Sequence, residues 1–134
     1  MSAAPDGHRW NEGAEEGAAI VEFVLVSILV VVLLLAVVQV AMALHIRNTL
    51  ISAASEGARF AAAADQPPEA GADHTRDLIR RSLPDAYAEH VDSSYEVVSG
   101  VDTIVVTIEA ELPVFGWLGP ADTLRVAGHA MEES

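Results

Sequence analysis

Hydrophobic and polar positions divide this chain into three stretches with different periods. From Phe23 to Leu44 there is no period at all: every residue is apolar except Ser27 and Gln39, and none is charged. As a helix this run spans about 33 Å, enough to cross a hydrocarbon core of roughly 30 Å. It is rich in Val and Ile, which favour strands in water, but a lone strand in lipid leaves its backbone groups unpaired, so a helix is expected. A cleavable secretory signal is shorter, with bases before it, whereas the residues before this run are mostly acidic. A retained single membrane helix follows.

Beyond Leu44 the period becomes helical. Ile46, Leu50, Ala54, Gly57 and Ala61 recur on one face, and no Pro interrupts before Pro67. One long helix is expected over 18–64, with its membrane span at about 20–44. Its outer half carries a ridge of small residues, Ala53, Ala54, Gly57, Ala58 and Ala61. The ridge permits close approach of another element, or reflects only the helix propensity of Ala. Residues 65–73 read as a loop, and a second helix starts near Asp73 or Thr75, both suitable caps. Leu78, Ile79 and Leu83 form its apolar face, and Pro84 ends it. Asp77 and Arg81 are an opposite-charge pair four residues apart. Ala86 to His90 is read as one further turn.

From Ser94 the period becomes two. Tyr95 and Val97 alternate with Ser94 and Glu96, and Ser99-Gly100 signals a turn. Ile104, Val106, Ile108, Ala110 and Leu112 line one face of a second strand, with Thr103, Val105, Thr107, Glu109 and Glu111 on the other. Residues 113–120 are a longer turn. A third strand runs from about Thr123 to Met131. The expected class is α+β: a long membrane-spanning helix continuing outside the bilayer, a short helix, and a three-stranded antiparallel meander. The divisions are a hydrophilic leader at 1–17, the helix at 18–64 and a small outer domain at 65–134. The leader has nothing with which to bury a face and is read as disordered, with Trp10 a candidate for the membrane interface.

Composition narrows the function. A net charge of −13 argues against nucleic acid and against anionic lipid surfaces. With no Cys there is no disulfide, iron–sulfur or thiolate-zinc chemistry. The five His are scattered without metal-ligating spacing. No phosphate loop or nucleophile elbow is present, so no cofactor, metal or small-molecule substrate is expected, and no enzyme. Arg76, Arg80 and Arg81 form the one basic cluster, read as a solvated helix face in preference to a site for an acidic partner. The apolar tip Val114-Phe115-Trp117-Leu118 packs under the sheet, the preferred reading, or offers Phe115 and Trp117 to a partner.

Glu22 stands at the start of the apolar run, where a carboxylate is costly. Gly17 precedes it by five residues and Phe23 follows. This Gly–Glu–Phe spacing resembles the processing site of type IV prepilins of the Flp/Tad branch. The segment Ala53-Ala54-Ser55-Glu56-Gly57-Ala58-Arg59-Phe60-Ala61 resembles the Glu-Gly-Ala-Arg stretch of TadE-like proteins, the pseudopilin-like minor components of Tad systems. Val126-Ala127-Gly128-His129-Ala130-Met131 resembles their last strand. The resemblance implies cleavage by a prepilin peptidase between Gly17 and Ala18, with Glu22 and Phe23 becoming the fifth and sixth residues. It implies other pilin-like subunits and the membrane as partners, and a pilin-like structural role assembled through the helix. Charge alone leaves the orientation open; the resemblance puts the N-terminus in the cytoplasm and the C-terminal domain outside. Two positions depart from the family. Glu15 and Glu16 stand where bases are common, and Ile28 where a Pro is frequent. The other reading is a membrane-anchored binding module, with the helix only a tether.

Overall fold

A computed structural model describes the backbone of residues 6–112 and 123–132, and side chains from residue 13 onward. Helix α1 runs Asp6–Ala63 and α2 runs Pro68–Ser82. A 3₁₀ turn follows at Asp85–Ala88. Strands β1 (Val91–Val98), β2 (Val101–Glu111) and β3 (Thr123–Met131) form one antiparallel sheet in the order β1-β2-β3. The architecture is α+β, with the elements and the meander that the periodicities imply. The chain divides into two compact units, Met1–Val40 and Ala41–Ser134.

The apolar run is helical throughout, and none of its residues is buried. Phe23 is 73% exposed and Leu29 67%. Ser27 satisfies its hydroxyl within the helix by donating to Phe23 O at 2.7 Å. The helix is long and apolar enough to cross a membrane. It begins at Asp6, not at Ala18, so the segment expected to be disordered is helical from Asp6 onward. The physical reason is elongation. Ala14, Glu15 and Glu16 are good helix formers next to an existing helix, so they add turns without a nucleation cost.

The second unit is built on the outer part of α1. Ile46, Leu50, Ala53, Ala54, Ala58 and Ala61 are buried and share one core with Ala72 and Ile79 of α2 and with Val91, Ile104, Val106, Ile108, Ala110, Val126 and Ala130 of the sheet. The compact unit therefore starts at Ala41, well before the loop where the outer domain was expected to begin. The roughly 70 residues after α1 are few for an independent core, and the helix supplies the missing apolar surface.

Helix α1 ends in a Schellman motif. Asp65 takes a left-handed φ of 51°, and Gln66 N donates to Ala61 O at 3.0 Å. Helix α2 starts at Pro68, five residues before Asp73, because a Pro in the first turn has its φ preset and lacks the N–H that would otherwise be orphaned. The 3₁₀ turn occupies the place expected for an extra helical turn. Strand β1 starts at Val91, three residues before Ser94, where Val91 pairs with Ile108. Tyr95 and Val97 lie on the same side as Val91 but are exposed. At Ser99-Gly100 both φ values are positive, 54° and 81°, between the paired Val98 and Val101. That is the two-residue turn whose twist suits a hairpin.

Strand β2 lies between the other two. Ile104, Val106 and Ile108 face the helices with no exposed area, as their alternation implies. Thr103 and Val105 on the opposite face are also buried, where solvent was expected. Val105 is flanked by Ser94 and His129, and Thr103 by Glu96 and Met131. A central strand has cross-strand neighbours on both sides, which its own alternation does not reveal.

Candidate processing and assembly surfaces

Gly17, Ala18, Glu22 and Phe23 all lie on α1 and are exposed. Ala18 and Glu22 are four residues apart and share one helix face. A Cβ added at Gly17 would meet no atom within 4 Å. Nothing in the described structure requires a Gly there, and Gly13 is equally open.

Gly57 is the opposite case. A Cβ there would fall on the Thr75 hydroxyl and lie 2.6 Å from Gly71 O. From the other side, a Cβ at Gly71 would lie 2.9 Å from Gly57 O and 3.1 Å from the Ala61 Cβ. The two glycines let α1 and α2 cross with their backbones nearly touching. Thr75 is fully buried at this crossing, its hydroxyl 2.8 Å from Gly71 O and 3.3 Å from Ala53 O. That arrangement satisfies a polar group that would otherwise be costly inside the core. Gly128 plays the same part for β3: a Cβ there would run into the Ala54–Ser55 peptide.

The remaining residues of the Glu-Gly-Ala-Arg segment divide between inside and outside. Ala58 is fully buried. Glu56 Oε1 lies 3.7 Å from His74 Nε2. The His74 ring also stacks on Phe60, with centroids 4.3 Å apart and planes 10° from parallel. Arg59 is exposed and lines a groove of about 370 Å³ with Ala62, Ala63, Ala130 and Met131.

The basic cluster on α2 is largely occupied. Arg76 donates from Nη1 to Asp73 Oδ1 and from Nη2 to Val91 O, both at 2.7 Å, and so ties α2 to the start of β1. Arg80 approaches Asp77 at 4.0 Å. Asp77 thus meets Arg80, three residues on, and not Arg81: the rotamers that avoid the preceding turn bring the three-residue neighbour closer here. On the sheet, Tyr95 donates its hydroxyl to Glu132 Oε1 at 3.4 Å. Partial desolvation, and after it the Glu132 carboxylate, push the phenol above its usual 10.0. Phe115 and Trp117 lie outside the described residues.

Among the described residues, no three His, Asp or Glu are placed to hold a metal ion. The reading of the sequence alone missed Gly71, His74, Thr75 and Gly128 as contact-makers. A signal existed for Gly128, since a Gly inside an alternating strand marks close backbone approach. None existed for His74, whose two partners come from another helix.

Residues 17–59 match the TadE-like protein family. The matched stretch begins at Gly17, contains the whole apolar run, and ends on Arg59. TadE-like proteins form a pilus-associated structural family, and residues 17–59 of this chain are similar to them. No curated protein and no solved structure matches the chain.

Proposed function

We propose that the chain is a minor, pilin-like subunit of a Tad/Flp-type pilus or a related secretion apparatus, processed after Gly17 and assembled through α1. The observation that carries this reading is the contrast between two glycines of the TadE-like segment. Gly57 is explained by packing within the chain; Gly17 is not, and it is the one that stands five residues before Glu22. A Gly without an internal reason, at the first residue of the family match, fits recognition by an external peptidase.

Cleavage there leaves an ammonium on Ala18, one turn from Glu22. An unpaired charge at the edge of a bilayer costs several kcal/mol, so assembly is favoured in the register that pairs the new amine with a Glu22 carboxylate of a neighbouring subunit. The uncovered apolar side chains of the helix, Phe23 among them, then face lipid or the helices of other subunits. In this reading the N-terminus is cytoplasmic and the sheet lies outside.

Two measurements test the proposal. Co-expression with a prepilin peptidase should give an intact mass beginning at Ala18, and Gly17→Leu should abolish the cut. Glu22→Gln should still insert but fail to co-purify with pilin-like partners from membranes. Retention of residues 1–17 in the parent, or normal co-purification of the Gln variant, would refute the corresponding half.

A further inference from the structure

The two edges of the sheet are not equivalent. On β1, Arg76 caps the outward Val91 carbonyl, so that edge is guarded at its start. On β3 the phase is set by Glu132, whose N–H donates to Asp102 O at 2.9 Å. Alternation along an antiparallel strand then turns Ala130, Gly128 and Val126 toward β2. It turns the N–H and C=O groups of Met131, His129, Ala127 and Arg125 outward. Ala127, His129 and Met131 are exposed, and β3 has a hydrogen-bonded neighbour on one side only.

Beside the Met131 end of this edge lies the groove between α1 and β3. It is lined by the apolar side chains of Ala62, Ala63, Ala130 and Met131 together with Arg59, and much of its surface is polar. Arg59 forms no ion pair among the described residues, in a chain of net charge −13. An exposed cation with no ion-pair partner among the described residues, next to an open strand edge, has the chemistry of a carboxylate receptor. The register places this end away from the β2–β3 connection, which joins at the Glu111–Thr123 end.

We propose that β3 accepts an extended, carboxylate-bearing segment of a partner protein as a fourth strand. The segment's backbone pairs with Arg125, Ala127, His129 and Met131. An apolar side chain enters the groove and an acidic one meets Arg59. This surface is separate from α1 residues 18–44 and does not depend on how the N-terminus is processed. A second copy of the chain is a poor occupant: β3 carries Arg125 and His129 and no acid, and antiparallel self-pairing about Gly128 sets Arg125 of one copy opposite Met131 of the other, close to Arg59.

The test uses the full chain in detergent micelles and synthetic peptides as long as β3, alternating Val and Thr, with one Glu near an end. Fluorescence anisotropy should detect binding of the Glu peptide, with a Lys-for-Glu peptide about tenfold weaker or worse, a difference of about 1.4 kcal/mol. Arg59→Gln should remove that preference; because Arg59 is exposed, the variant keeps its fold. N-methylation of alternate peptide nitrogens should abolish binding without touching the protein, and Ala127→Pro, at an outward N–H, should do the same from the protein side. Absence of binding by the Glu peptide, or binding that survives N-methylation, would overturn strand addition. Equal affinity for Glu and Lys peptides would overturn the role of Arg59. A parent dimer that Ala127→Pro dissociates, measured by light scattering, would overturn the choice of a foreign partner.

Discussion

Gly128→Ala adds one methyl group at the most crowded point of the fold. The new Cβ would overlap the carbonyl carbon of Ala54 and the nitrogen of Ser55, and would lie 2.6 Å from Ala54 O. Non-bonded carbon contacts settle at about 3.5–4.0 Å, so α1 and β3 must separate by about 1 Å. The obstacle is backbone, which cannot rotate aside as a side chain would. Separation thins the contacts of Ala53, Ala54, Ala58 and Ala61, which are small and cannot follow into the gap. A gap of about 1 Å forfeits up to half of each dispersion well. Overpacking of this kind costs about 1–3 kcal/mol, offset by about 0.5–1 kcal/mol from the lower entropy of Ala in the unfolded chain. Because the obstacle is backbone, the cost lies near the top of that range, and a net loss of about 2 kcal/mol is expected, a roughly thirtyfold rise in local opening. Hydrogen exchange of the full chain in micelles, followed on peptides covering residues 103–110, reads this directly. Gly17→Ala is the control, since its Cβ meets open space, and it should leave exchange unchanged. If Gly128→Ala protects β2 as well as the parent does, the close approach of α1 to β3 is wrong. If the control is equally damaged, the effect does not come from packing.

Three further outcomes follow from the same structure. Val106→Asp buries an unpaired carboxylate at a position with no exposed area and should cost several kcal/mol, whereas Thr107→Asp, half-exposed opposite Asp92, should cost less than about 1 kcal/mol; urea titrations monitored by proteolysis separate them. Arg76→Ala releases the Val91 carbonyl and the Asp73 carboxylate, and should weaken protection at the start of β1 by about 1 kcal/mol, with little change at β3 in the same exchange experiment. Tyr95 should ionise above pH 10.0 in an ultraviolet titration, and Glu132→Gln should move its midpoint toward that value, because removing the neighbouring carboxylate removes a repulsion that disfavours the phenolate.

Much of this molecule was legible in its sequence because the relevant signals are one-dimensional. An uninterrupted apolar run long enough for a bilayer, a helical period from Ile46 to Ala61, and the strict alternation of Ile104, Val106 and Ile108 each declare an element and the face it buries. What failed was whatever depends on a neighbour from elsewhere in the chain. The start of α2 moved to Pro68 because backbone economy at a helix start outweighed the nearby capping residues. Thr103 and Val105 are buried on the face expected to meet solvent, while Tyr95 and Val97, on the same side of β1 as the buried Val91, are exposed. Above all, the Glu-Gly-Ala-Arg segment looked like a single motif, and only the tertiary structure divided it. Gly57 and Ala58 serve the crossing with α2, Glu56 meets His74, and Arg59 is left facing outward. A sequence specifies which side of its own helix a residue occupies; which element arrives at that side, and how closely, is decided by packing between segments far apart in the chain.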